Sequence, residues 1–418
     1  MEAGNKVIRD PIHGNIKIKG YIAELLKSPE VQRLYNIKQL GFAHLVFPGA
    51  HHTRLEHSLG AYHIASQISE TLNIEDDRRN IVTCAALLHD IGHGPFSHTL
   101  ESILLEKFGV DHIDLTEELI LGEYEIFDSK EKNFIQSPSA AQILSKNDVD
   151  KKEIVNIIRG KTYKKSYLGQ ILNSTIDADQ LDYLLRDAYY TGVAYGMIDI
   201  ERLLQTLMIH EDNLTIKRKG VGVVENILMA RGLMYSSVYF HKTARIAELM
   251  LSKAIEEIPD PEPFEFFRMT DAELVSRLKK MGEFQQEIVT RLKYRALFKQ
   301  AYSASVHDLD EQALGVIRDL EDVTYRRQKE QELENAFDIP QGHLIIDIPR
   351  PELLMAEPRL HKTDIFVIDR NEIKTLDDFT PIAKAIRSRI TPDWIVMIIT
   401  DEKYRDVVSK KAEILLFG

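Results

Sequence analysis

Ten residues, His89–His98 (HDIGHGPFSH), constrain this chain more than any others. They open with an adjacent His-Asp pair at the end of an apolar run, Cys84-Ala85-Ala86-Leu87-Leu88. His93 and His98 follow, spaced by Gly92, Gly94 and Pro95. The apolar run belongs in a core, so it carries two polar side chains to the core's edge. Imidazole beside carboxylate suits a divalent metal of intermediate hardness. One helix end supplies too few ligands to close such a site, so the fold has to bring others to it. Two candidates stand out: His57 in RLEHSLG and Asp179 in IDADQLDYLLRD. The plainer alternative is that His89 and Asp90 only cap a helix.

The rest of the pattern predicts a mainly α fold. Two short strands, KVIRD and NIKIK, flank Pro11 as an N-terminal hairpin. Ser28-Pro29-Glu30 reads as a helix start, with Ser as N-cap and Pro at the first helical position. Helical periodicity covers residues 54–72, 79–90, 95–108, 112–121, 139–145 and 177–190. A small hairpin turning at Asp212-Asn213 is expected within 210–219, then one long helix over 221–257. After the break at Pro259–Pro263, helices are expected over 271–280, 283–300 and 308–337. Strand-like runs at 343–348, 363–368 and 394–400, with helical stretches at 379–389 and 404–416, change the character of the tail. The expected division is a helical core over 1–258, a helical extension over 259–337 and a small α/β appendage over 338–418.

Composition sets limits on partners. The net charge of −12 argues against non-specific binding to nucleic acid or anionic membrane. The single cysteine, Cys84, excludes an internal disulfide and fits a reducing, cytoplasmic setting. It sits in an apolar helix and reads as core, as does Trp394 in the appendage. No signal-peptide core or membrane-length apolar run is present in the sequence.

Two helical stripes add candidate site residues. Asp179, Tyr183 and Asp187 fall at i, i+4 and i+8, and so do Arg231, Tyr235 and Tyr239. Asp182 and Arg186 read as a separate ion pair on a neighbouring face, and Asp10 and His13 as turn and packing residues.

The ordered set His57, His89-Asp90 and Asp179 resembles the H…HD…D signature of the HD-domain phosphohydrolases. The segments DPIHGNI, IKQLG, FPGAHHTRLEHSLG and HDIGHGPFSH resemble more closely the deoxynucleoside triphosphate triphosphohydrolase branch. That likeness runs from the N-terminus through His241-Lys242. It implies an HD-domain helical core in which His57, His89, Asp90 and Asp179 hold a divalent ion, with Mn, Fe, Ni, Co, Zn and Mg not distinguished. It implies catalytic parts for Asp90 as orienter of water, for His93 and His98 facing the scissile phosphate, and for Glu101 and His112. Gln39, Arg54, Tyr183, Asp187, Arg231 and Tyr239 match substrate-binding positions. The implied reaction is attack at the α-phosphorus, releasing deoxynucleoside and triphosphate, with His98 helping the sugar oxygen leave. A nucleotide substrate and a homo-oligomer (dimer or tetramer) are the expected partners; nucleic acid and membrane are not.

Three departures from the family pattern stand in the chain. Ile113 replaces a Glu after His112. Gln180 replaces a Lys that neutralises the triphosphate in an animal enzyme of that branch; the basic loop over 159–165 is one source of replacement charge, a solvated loop the other reading. Lys27 and Tyr35 stand where that enzyme reads guanine at an activator site. Gln180 motivates a second reading, a phosphatase of nucleoside monophosphates or other phosphoesters. A third, of another class, is a nucleotide-binding regulatory module with the appendage as its interaction surface.

Overall fold

The computed structural model describes residues 5–97, 103, 109–127, 130–161, 166–256, 258, 263–349, 365–370, 372–382, 385 and 394–418. The expected helix over 95–108, most of that over 379–389, the loop residues 162–165, His98 and Glu101 lie outside the described residues. The fold is mainly helical, with a small N-terminal hairpin and two small sheets fed by the C-terminal half.

Strands β1 (Lys6–Asp10) and β2 (Gly14–Ile18) pair antiparallel, and Ile16 and Ile18 turn fully inward. Helix α1 (Arg54–Thr71) begins with a capping box in which Thr53 and Glu56 satisfy each other's backbone N–H groups. It packs antiparallel-bundle fashion against α2 (Asp76–Leu88), whose residues Val82–Leu88 are all buried. The start expected at Ser28-Pro29 is present, but regular helix stops at Arg33 and continues only as a 3-10 turn over Leu34–Asn36. Helix α3 (His112–Leu121) starts at a capping box from Asp111 to Asp114. Helix α4 (Ala178–Thr191) starts at Asp177 and ends at Gly192, a left-handed residue at φ 73°. It lies against α1, and that contact places the polar stripe of α4 opposite His57.

The expected small hairpin is β3 (Leu207–His210) and β4 (Asn213–Lys217). Its turn is one residue earlier than expected: Glu211 and Asp212 both take positive φ (47° and 59°), because His210 pairs with Asn213. That is the hairpin turn whose twist matches the strands.

The single long helix expected over 221–257 is two helices. Helix α5 (Val221–Met234) gives way to a π-helical turn at Tyr235–Tyr239, and α6 (Lys242–Glu256) resumes after it. Two side-chain bonds favour the interruption. The Ser236 hydroxyl donates to the Leu233 carbonyl at 3.1 Å, and the Tyr239 hydroxyl donates to Asp187 at 2.8 Å. Such π turns recur at functional sites.

The tail corrects two further expectations. The helix expected over 283–300 stops at Lys293, and β5 (Lys299–Ala304) follows. β5 pairs with β9 (Val396–Thr400), which pairs with β6 (Leu344–Asp347), so the regions 259–337 and 338–418 share one sheet. β7 (Phe366–Asp369) and β8 (Glu372–Thr375) extend the β3–β4 hairpin into a second sheet, order β3-β4-β7-β8. β8 has no clear period in its four residues and was not expected.

The outer edge of β6 is closed by side chains. Helix α7 (Val323–Phe337) directs Glu330 to the Ile346 N–H at 2.8 Å and Glu334 to the Leu344 N–H at 3.2 Å. The match is metric: four helical residues rise about 6 Å and two strand residues about 6.6 Å. Lys253 of α6 neutralises Glu330 at 2.7 Å. Burial disfavours the Glu334 anion and pushes its carboxyl up to about 7 from the ordinary 4.5. A raised folded-state value means that the native state holds this proton more tightly than the unfolded chain. The stability it contributes is therefore full below pH 4.5 and is lost as pH rises through 7. Glu334→Gln keeps the acceptor and removes the titration. Urea unfolding at pH 5 and pH 8 should show a smaller loss of stability between the two for the variant than for the native protein.

Candidate active site

Three elements deliver the polar cluster. The first turn of α1 supplies Arg54 and His57, the end of α2 supplies His89 and Asp90, and the first turn of α4 supplies Asp179. His57 Nε2 lies 3.1 Å from Asp179 Oδ1 and 3.9 Å from Asp90 Oδ2. His89 Nε2 lies 3.2 Å from Asp90 Oδ1 and 3.9 Å from Asp179 Oδ1. The ligand atoms of His57, His89 and Asp90 all fall within 4.8 Å of one another.

The tautomers follow from the partners. His89 Nδ1 is 2.8 Å from the Ala86 carbonyl, which can only accept, so Nδ1 carries the proton. The lone pair is then on Nε2, which is buried and has no hydrogen-bond partner among the described residues. His57 Nδ1 donates to Asp182 Oδ2 at 2.8 Å and likewise leaves Nε2 for the cluster. Two aimed imidazole nitrogens and two carboxylates are a donor set that fits a divalent ion with positions left open. Burial opposes charge on His57, but Asp179, Asp182 and Asp90 outweigh it and raise the imidazole to about 10. A cation binding there displaces that proton.

Asp182 is the outer support. Besides His57 it holds His13 Nε2 at 2.7 Å and a bidentate Arg186 at 2.9 and 3.0 Å. Arg186 in turn binds Asp10 at 2.8 Å, and Asp10 also caps the N–H groups of Ile12 and His13. The ion pair expected on a separate, neighbouring face is formed, but it lies fully buried behind His57, and Asp10 and His13 belong to the same network. A sequence signal was present in Gly60: a Cβ there would sit 1.7 Å from Asp182 Oδ1, so the helix needs glycine for α4 to approach.

Around the cluster, Arg54 donates to Asp90 at 2.6 Å and to Ser97 at 2.6 Å, so it positions Asp90. Burial alone would raise the Asp90 carboxyl, but His89, Arg54 and His93 hold it well below the usual range. His93 Nε2 is 3.4 Å from Asp90, and its ring stacks on His112 at 3.7 Å. Burial, with Arg54 and His112 nearby, holds His93 neutral by lowering it well below its ordinary value. Ile113 lines the cavity beside His112 and adds no charge.

These residues open into a cavity of about 400 Å³. On its wall Asp187 receives Tyr239 at 2.8 Å and His52 at 2.8 Å, and Tyr183 meets Tyr239 edge-on. Gln39 also lines it, and its Oε1 is buried without a hydrogen-bond partner among the described residues. Arg231 donates to Gln180 Oε1 at 2.8 Å. Gln180 is fully buried and anchored by the Ser174 carbonyl, so it orients Arg231 and does not itself line the cavity. Arg159 of the basic loop is bound to Asp114 and Glu117. Lys27 and Tyr35 are solvent-exposed, and Cys84 is core.

Sequence reasoning missed His52, the Asp182–Arg186 support, and Arg33. The buried Arg33 donates to the carbonyls of Ile91, His93, Phe267 and Met269 and pins the HD loop. It also missed Arg245 and Glu248, which line the cavity.

Comparisons with known proteins find relatives over most of the chain. The HD domain matches residues 54–187, and the HD associated region matches residues 198–417. An uncharacterized protein of Methanocaldococcus jannaschii is 34% identical over 401 residues, 94% of this chain and 78% of that protein. A deoxynucleoside triphosphate triphosphohydrolase SAMHD1 homolog of Dictyostelium discoideum is 30% identical over 319 residues, 71% of this chain and 60% of that protein. The crystal structure of a phosphohydrolase from Bacteroides thetaiotaomicron superposes with a TM-score of 0.69 at 26% identity, covering 96% of this chain and all of that one. No helix among the described residues is long and apolar enough to cross a membrane.

Removing the outer carboxylate tests the cluster as a metal site. Asp182→Asn should lower divalent-ion affinity by roughly 10–100-fold, the usual cost of losing a carboxylate behind a histidine ligand. Titration calorimetry with Mn²⁺ and Zn²⁺ reads this, with circular dichroism to verify the fold; unchanged affinity would refute the assignment.

Proposed function

We propose, since this chain belongs to the family of HD-domain proteins that carry the HD associated region, that it is a metal-dependent phosphohydrolase cleaving deoxynucleoside triphosphates to deoxynucleoside and triphosphate. The observation that carries this reading is the aimed Nε2 of His89, which has no hydrogen-bond partner among the described residues, beside His57, Asp90 and Asp179 in a cavity of about 400 Å³. His57, His89, Asp90 and Asp179 would hold the ion. A divalent cation there supplies Lewis acidity toward a phosphoryl oxygen and makes water a nucleophile near neutral pH.

The chain's own residues supply the rest. Asp90, fixed by Arg54, accepts and orients the attacking water. His93, kept neutral and stacked on His112, offers a hydrogen bond toward the phosphate without adding charge. His98 is proposed as the acid at the sugar oxygen, with Glu101, three residues later in sequence, to orient it; both lie outside the described residues. Gln39 Oε1, Tyr183 and Asp187 suit sugar hydroxyls, since they combine acceptors with an aromatic face. Arg231, held by Gln180, is placed for phosphate oxygens. The expected homo-oligomer remains part of this proposal, as does the boundary at 258; the shared β5-β9-β6 sheet joins the two regions that follow it.

A second substrate reading is favoured by the cations. Among the described residues, the cavity wall offers Arg54, Arg231 and Arg245 and no lysine, and Arg54 is already engaged by Asp90. A monophosphate needs less compensation than a triphosphate. Product analysis separates the two. Protein loaded separately with Mn, Fe, Ni, Co, Zn and Mg is given each dNTP and then monophosphates. Deoxynucleoside plus intact triphosphate is expected; inorganic phosphate from monophosphates alone moves the assignment to the second reading. Arg231→Ala should raise KM for triphosphates by tenfold or more, roughly one charge-assisted hydrogen bond. An equal rise for monophosphates would place Arg231 at the α-phosphate instead.

A further inference from the structure

Part of the cavity wall is built by α6 and the 3-10 turn Gly41–Leu45, which pack on each other. Leu40, Ala43, Phe240 and Ala244 give this part an apolar lining. Two charged side chains interrupt it, Arg245 and Glu248, one turn apart on α6. Nothing in the hydrolytic cluster uses them.

Their surroundings fix one and leave the other under-employed. Arg245 donates to Asp347 through Nη2 at 2.8 Å, with Nε at 3.4 Å, and Asp347 is buried and also takes the Trp394 indole N–H at 3.1 Å. The C-terminal strand β6 therefore holds the guanidinium in place. Its Nη1 lies 3.7 Å from Glu248 Oε2, an ion-pair distance longer than a hydrogen bond. Each side chain keeps 23% of its surface open. Among the described residues Arg245 is the only partner Glu248 has, and burial pushes its carboxyl up to about 6. A carboxylate with two acceptor oxygens thus stands beside a fixed donor in a cavity wall that also carries apolar side chains.

We propose that Glu248 and Arg245 select the base of the nucleotide, and that the base they select carries two neighbouring N–H donors followed by an oxo oxygen, the edge of guanine. The argument is one of matching arrays. The carboxylate accepts at two adjacent positions and the guanidinium donates at the next. Guanine presents the complement through N1–H, its 2-amino group and O6. Adenine, cytosine and thymine each lack a second adjacent donor. This selection rests on the site being a nucleotide site and adds what that reading leaves open.

The test uses deoxynucleosides, which carry no bond for the site to cleave. Full-length metal-loaded protein is titrated by ligand-observed NMR with deoxyguanosine, deoxyinosine and the other three. Deoxyinosine lacks only the 2-amino donor. The native protein should bind deoxyguanosine about tenfold or more tightly than deoxyinosine, the worth of one hydrogen bond to a charged acceptor. Glu248→Gln, with one acceptor and one donor in place of two acceptors, should bring that ratio to within about threefold. Equal binding of the two nucleosides by the native protein overturns the proposal whether or not the variant folds. So does a variant that weakens all bases alike. If dNTPs are turned over without such discrimination, only the base reading fails. If no nucleoside binds and no nucleotide is turned over, the nucleotide site fails and the base reading with it.

Discussion

The Asp182 carboxylate is the interaction on which the site depends. It is buried, it joins α4 to α1 and to the N-terminal hairpin, and its two oxygens serve His57, His13 and Arg186. A buried charge survives only when it is paired and hydrogen-bonded, and here every lone pair has a use. Its cationic neighbours win against desolvation and hold its carboxyl well below the usual range. Its consequence is chemical: His57 has one tautomer and one orientation, with Nε2 facing Asp90 and Asp179. Gly60 is the packing side of the same constraint.

The C-terminal half is tied to the site by equally specific means. The π turn at Tyr235–Tyr239 separates α5 from α6, and Arg231 before it, Tyr239 within it and Arg245 and Glu248 after it all line one cavity. Asp347 and Trp394 then connect Arg245 to the β5-β9-β6 sheet. That sheet draws strands from both regions that composition alone separates, so the tail is part of the cavity's support.

Some of this was legible before any coordinates. The order and context of His57, His89-Asp90 and Asp179 anticipated the cluster because metal chemistry restricts residue types severely. The stripes Asp179-Tyr183-Asp187 and Arg231-Tyr239 anticipated two walls because helical spacing is regular. Helical periodicity placed α1, α3 and α4 to within a residue. Gln180 was read as a missing cation; the structure shows it buried and holding Arg231, a distinction that depends on which way a side chain turns.

The sequence by itself determined the chemistry: mainly helical segments, the residues able to bind a cation, and the family to which they belong. These are local properties, set by periodicity, by capping and by residue type. Tertiary structure alone decided which residues support that chemistry. Asp10, His13, Asp182 and Arg186 meet across up to 176 positions of sequence, and Arg245 meets Asp347 across 102. No periodicity records such contacts. They follow from helix packing, from one π turn and from a shared sheet, where burial forces each charge to find its partner.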